Sequence, residues 1–124
     1  MGALMVTLAV ADRVGRGFVS LQALVDTSAA YTRVPASVLQ ALGHEPDEDR
    51  QLVLTDGRTR LYRLGWVPVR LEGRLRPTPV VFGGEGTEPL LGVVTLEEFG
   101  LAVDPVGRRL VPVPGLVKAG REGV

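Results

Sequence analysis

The 124-residue sequence contains no cysteine. That excludes disulfides, thiolate zinc sites and a thiol nucleophile. Histidine occurs once, as His44, so a multi-histidine metal centre is excluded as well. His44 follows Gly43 in a polar stretch, and a solvated loop position is expected for it. Charge of one sign is not in excess: fourteen cationic and fourteen acidic side chains cancel. No segment is basic enough for a nucleic-acid footprint. No apolar run is long enough to span a bilayer. The opening MGALMVTLAVADR ends in a cleavage-like AVA, yet it lacks a basic leading segment and its apolar run is short. Val6 stands where a myristoylation signal needs Ser or Thr. This opening is therefore expected to be a strand of the fold, and the chain to be cytoplasmic with no membrane partner.

What is present is ordinary globular composition with frequent punctuation. Hydrophobic residues make up 45% of the chain, enough for one core at this length, where about two thirds of the unfolded surface can be buried. Sixteen glycines and nine prolines break the chain into short valine- and leucine-rich runs, the pattern of a mainly β protein. Strands are expected over 4–11 and 18–25, joined through the turn at 13–17. Residues 30–34 read as extended, and PASVLQAL as a short helix closed by Gly43. HEPDEDR reads as a charged loop. Residues 51–54 and 59–71 form a hairpin whose Asp56-Gly57 signals a two-residue turn. The polar stretch from Arg58 to Arg63 makes its tip project from the body. A strand over 74–82, the loop GGEGTE, a helix over TLEEFG and a hairpin of 101–104 with 109–113 follow. One domain over 1–113 is expected, with 114–124 as a frayed tail.

Two stretches share an element order of strand, tight turn, short helix and glycine: LQALVDTSAAYTRVPASVLQALG and TPVVFGGEGTEPLLGVVTLEEFG. In the first, an apolar run ends on Asp26 and is followed by Thr27, Ser28 and two alanines. Residue habits alone leave two readings. Asp26 caps a turn through its own backbone, or its small neighbours leave room for a close approach. Trp66, on the strand after the hairpin, either packs or lines a cleft, and packing is expected because tryptophan is mostly buried. Tyr62, on the hairpin arm, is the better of the two tyrosines for touching a ligand, ahead of Tyr31. Glu97 and Glu98 read as solvated helix residues.

ALVDTSA, PASVLQALG, the TDG hairpin and PLLGVVTLEEFGLAVDP, in that order, resemble the retropepsin-like aspartic proteases, particularly their small bacterial relatives. The resemblance spans roughly residues 4–113. It implies a closed or partly open β-barrel of retropepsin type with one or two short helices. It also implies an aspartic endopeptidase that needs no metal and no cofactor.

The chemistry accounts for the motif. Peptide hydrolysis without a covalent intermediate needs a base for the attacking water and an acid for the carbonyl oxygen or leaving amine. Two carboxylates about 3 Å apart and sharing one proton supply both. The chain offers one Asp-Thr-Ser site, at Asp26; Asp56 lies in a hairpin turn and Asp104 precedes a proline. The resemblance therefore implies a homodimer with one Asp26 from each chain across a two-fold axis, acting on a peptide or protein substrate. It assigns Thr27 a bond across that interface, and Ser28 and Ala29 the loop beside the substrate. Thr55, Asp56, Gly57 and Arg58 become a flap over the bound peptide, and Leu90, Leu91 and Gly92 the support behind Asp26. Two positions depart from the family. Ser28 replaces the usual glycine, and Ala30 replaces a polar residue. The alternative they motivate is a non-catalytic dimerisation or peptide-binding module on the same scaffold.

Overall fold

The computed structural model describes residues 3–115. The tail expected from Pro114 lies, from residue 116 onward, outside the described residues. The architecture is mainly β, with two helices of six residues among the described residues. In chain order the elements are β1 (Met5–Ala11), β2 (Phe18–Val25), β3 (Thr32–Pro35), α1 (Ala36–Ala41), β4 (Glu48–Val53) and β5 (Thr59–Leu71). Then follow β6 (Arg74–Gly83), β7 (Leu90–Leu91), α2 (Val93–Glu98), β8 (Leu101–Asp104) and β9 (Arg109–Pro112).

β1 and β2 form the expected hairpin, and Asp12 shapes its turn. The Asp12 carboxylate accepts backbone N–H bonds from Val14, Arg16 and Gly17 at 3.0–3.1 Å. These bonds, led by that from Arg16, hold its carboxyl below the usual carboxylate range.

The main sheet runs β1-β2-β7-β3-β6-β5-β4, and β1 also pairs with β5 through Ala9↔Arg70 and Val10↔Val69. Six strands thereby close a ring, with β4 outside it. Strand periodicity shows which residues point inward. In β5 the alternation Val67, Val69, Leu71 is buried, and these meet Leu8, Val10, Ala23, Val34, Val80 and Leu91 in the core. Leu39 of α1 and Leu96 of α2 cap it, together with Phe99 just beyond α2. Helices this short are marginal alone; each is held by its buried leucine, which stabilises by about 1.5–3 kcal/mol on full burial.

The two similar stretches interlock. β2 pairs parallel with β7, β3 pairs parallel with β6, and β3 meets β7 antiparallel at Arg33↔Leu90. The local order is β2-β7-β3-β6. Exchanging the first pass (β2, β3, α1) with the second (β6, β7, α2) returns the same order read in reverse, as a two-fold relation between the passes does. Each helix ends at a glycine with positive φ, Gly43 at 88° and Gly100 at 63°.

Several expectations need correction. Pro35 ends β3 and is the N-cap of α1, not its first turn. HEPDEDR is not all loop: Glu48, Asp49 and Arg50 belong to β4, paired with Leu64, Arg63 and Tyr62. The Asp56-Gly57 turn is longer than two residues. Val53↔Thr59 is the last strand pair, Leu54 N–H donates to the Arg58 carbonyl at 2.7 Å, and Gly57 alone takes positive φ, 89°. A two-residue turn of the expected kind needs positive φ at both central positions. α2 begins at Val93 behind Gly92, two residues before Thr95. His44 is buried at 7% exposure, and its Nε2 donates to the Ala11 carbonyl at 2.6 Å. Trp66 is 57% exposed.

Candidate functional site

β2 delivers Asp26 to its site. Its last residues, Leu24 and Val25, are held by Leu90 and Leu91 of β7. The Asp26 N–H then donates to the Leu91 carbonyl at 3.0 Å, and Ala29 N–H turns back to the Asp26 carbonyl at 3.1 Å. From the other side, Val93 and Val94 N–H donate to the carbonyls of Ala29 and Ala30, both at 2.9 Å. The loop 26–30 is thus pinned at both ends to the segment 91–94. Gly92 is what allows this. A Cβ there would stand 2.5 Å from the Tyr31 carbonyl carbon and 2.8 Å from the Ala30 oxygen.

A chain of buried hydroxyls supports the same loop. Thr32 Oγ1 accepts from Gly92 N–H at 3.0 Å and lies 2.6 Å from Thr95 Oγ1, which in turn is 2.8 Å from Thr78 Oγ1. All three threonines are fully buried. They join β3, α2 and β6 beneath the Asp26 loop.

The Asp26 carboxylate is half-buried. Its Oδ1 accepts two bonds from Ser28, from the backbone N–H at 3.0 Å and from the hydroxyl at 2.6 Å. The turn-capping reading is therefore met locally. Asp26 also opens onto a cleft of about 520 Å³.

That cleft brings most of the expected residues together. Asp26, Ser28 and Ala29 line one side; Thr55, Asp56 and Arg58, from the β4–β5 turn, line another. Tyr31 and Tyr62 both line it, as do the apolar side chains of Leu52, Val81 and Leu90. Thr27 and Gly57 do not; both are exposed, and Thr27 Oγ1 makes no hydrogen bond among the described residues. The other carboxylate of the lining, Asp56, is paired with Arg58 at 2.8 Å and accepts its N–H at 3.0 Å. Among the described residues, Asp26 therefore has no free acidic neighbour in the lining of this cleft.

Sequence reasoning passed over Arg33, which also lines the cleft. The signal was present. In TRVP the alternation buries Thr32 and Val34, which puts Arg33 on the opposite face. Arg50 was passed over too. It bonds the Tyr31 hydroxyl at 2.5 Å while paired with Glu48 at 2.7 Å, and the Glu48 bond holds its guanidinium above the ordinary range. Trp66 and Tyr31 border a separate hollow of about 220 Å³.

Among the described residues, no group of three or more His, Asp or Glu side chains is placed to hold a metal ion. No described helix is long and apolar enough to cross a membrane. No protein-family model matches the chain, and neither does any curated protein.

Proposed function

We propose that the protein is an aspartic endopeptidase of retropepsin type, working as a homodimer. The observation that carries this reading is the placement of Asp26. It is a carboxylate at a strand end pinned by backbone bonds, opening onto a cleft that the β4–β5 turn also lines. The interlocked strand–loop–helix passes add support, because they hold the acid from behind and leave its front open.

In this mechanism two copies of Asp26 meet across a two-fold axis and share one proton. The ionised member takes a proton from water as that water attacks the scissile carbonyl. The protonated member gives its proton to the carbonyl oxygen, forming a tetrahedral diol. The member that took the water's proton then passes it to the leaving amine as the C–N bond breaks, and a diol hydroxyl returns a proton to the other carboxylate. The pair titrates as a unit with two macroscopic steps. Thr55, Asp56, Gly57 and Arg58 close over an extended peptide held by backbone hydrogen bonds.

The test compares the unaltered chain with Asp26→Asn on a mixed peptide library between about pH 4 and 7, with sedimentation of both. Cleavage by the first and not the second, from a dimeric species, is expected. Equal cleavage by both, or a strictly monomeric protein at high concentration, removes the proposal.

A second reading is favoured by one contact. The Ser28 hydroxyl, 2.6 Å from Asp26 Oδ1, occupies that oxygen and places a side chain beside the acid. A peptide-binding module without turnover would keep the cleft and tolerate that contact. It predicts binding of extended peptide by both variants and cleavage by neither.

A further inference from the structure

Arg33 lies on the floor of the cleft at the centre of the interlocked strands. Its backbone faces Leu90 on β7 and Val81 on β6, and both of those residues line the cleft with it. The side chain is built in. Its stem runs over Gly83, where a Cβ would stand 2.9 Å from Arg33 Cγ. Its Nε and Nη2 donate to the Glu88 carbonyl at 3.3 and 2.8 Å. A guanidinium has five N–H donors, so three remain. Among the described residues no carboxylate forms an ion pair with it.

The charge of the lining points the same way. Among the described residues the charged side chains of the lining are Asp26, Asp56, Arg33 and Arg58, and Asp56 and Arg58 neutralise each other. In the two-chain cleft of the proposed enzyme, two Arg33 side chains contribute +2 and an acid pair sharing one proton contributes −1. One positive charge is left over for the occupant to balance.

We propose that Arg33 makes the cleft selective for extended peptides carrying a Glu or Asp side chain close to the scissile bond; this rests on the peptidase reading above. β7 separates β3 from β2, so the Arg33 backbone stands about two strand spacings, roughly 10 Å, from the strand that ends in Asp26. An extended peptide advances about 3.3 Å per residue, which places the acidic side chain within about three residues of the bond under attack. A held guanidinium with free donors suits a carboxylate, because charge-assisted bonds to a planar fork are directional as well as strong. Two-fold symmetry supplies one Arg33 on each side, so acids on either side of the bond are accepted.

The experiment uses the full chain with Asp26→Asn, which leaves the cleft in place without turnover. Labelled extended peptides differing only by Glu or Gln at one position are titrated by fluorescence anisotropy. Glu is expected to bind about tenfold tighter, with the advantage shrinking as salt rises. Adding Arg33→Glu to the Asn form should reverse the preference toward Lys, an effect that loss of a merely structural arginine would not give. Library cleavage by the unaltered chain should be enriched for Glu and Asp near the cut. Cleavage with no such enrichment, together with equal Glu and Gln binding, overturns the role of Arg33 and leaves the peptidase standing. Glu-selective binding without any cleavage supports the role of Arg33 and removes the peptidase. Peptide bound without regard to charge, and never cut, overturns both.

Discussion

Gly92 stands against the backbone of Tyr31 so closely that a Cβ at Gly92 would lie 2.5 Å from the Tyr31 carbonyl carbon and 2.7 Å from its oxygen. Both atoms are main chain and cannot swing aside. Gly92→Ala must therefore part β7 from the 29–31 segment, and with it the bonds from Val93 and Val94 to Ala29 and Ala30. Overpacking of this kind costs about 1–3 kcal/mol or more. Urea denaturation of Gly92→Ala should show that loss. Gly84→Ala, where the nearest atom is 3.9 Å away, should stay near the parent value. Equal stability of the two variants would contradict the contact.

The threonine chain makes a second demand. Thr95→Val removes the hydroxyl that both Thr32 and Thr78 use, and leaves two buried hydroxyls with fewer partners. A buried polar group without a partner costs about 1–3 kcal/mol. Thr78→Val alone should cost less, because Thr95 keeps its bond to Thr32. The double variant should be less destabilised than the sum of the two, since the Thr78 hydroxyl that Thr95→Val strands is no longer there. Chemical denaturation of all four proteins measures the coupling, and strict additivity would show that the hydroxyls act independently.

The parts of this molecule that were legible from sequence are those that depend on near neighbours. β1 and β2 follow from apolar runs on either side of a glycine turn, and β5 from thirteen residues of pattern. The interlocking of the two passes was visible only as an element order, because parallel pairs such as β2 with β7 join residues far apart in the chain. Thr95 resembled a helix start, as threonine often is. Its hydroxyl is taken instead by Thr32 and Thr78, and the helix begins at Val93 behind the N-cap Gly92. His44 is polar among polar neighbours, and nothing local indicates that the Ala11 carbonyl will bury it. Trp66 shows two rules in conflict. Tryptophan is usually buried, but Val67, Val69 and Leu71 take the inward positions on β5, and the strand period turns Trp66 outward. At the site, Asp26 and the hairpin turn were readable as separate motifs. Arg33 was readable too, from the alternation of TRVP, and needed the fold to bring it beside them.

The Asp12 turn gives a pH dependence with a definite sign. Its carboxylate is held below the ordinary value by backbone N–H bonds, that from Arg16 foremost. A group with a depressed folded-state pKa contributes stability above its unfolded value, and that contribution is lost as pH falls through the folded value. The unfolded value is the ordinary Asp value, near 3.8. Asp12→Ala should therefore be less stable than the parent at pH 7. The gap should narrow as pH is lowered from 3.8 downward. Thermal unfolding of both proteins across pH 2–7 provides the measurement, and a gap independent of pH would show that the ionised carboxylate is not what holds the turn.

Thr27 is exposed, and its hydroxyl bonds nothing among the described residues, although both neighbours in the loop are engaged: Asp26 with Leu91 and Ser28 with Asp26. In the proposed dimer that hydroxyl faces the matching loop of the second chain. Thr27→Val keeps the shape and removes the donor, so the isolated chain should unfold at nearly the parent denaturant concentration. Symmetry removes the bond twice over. At about 1 kcal/mol for each hydrogen bond, the dimer dissociation constant should rise about 10–100-fold. Equilibrium sedimentation over a concentration series reads that shift. A dissociation constant unchanged by the substitution would place the interface elsewhere on the molecule, away from the loop that carries Asp26.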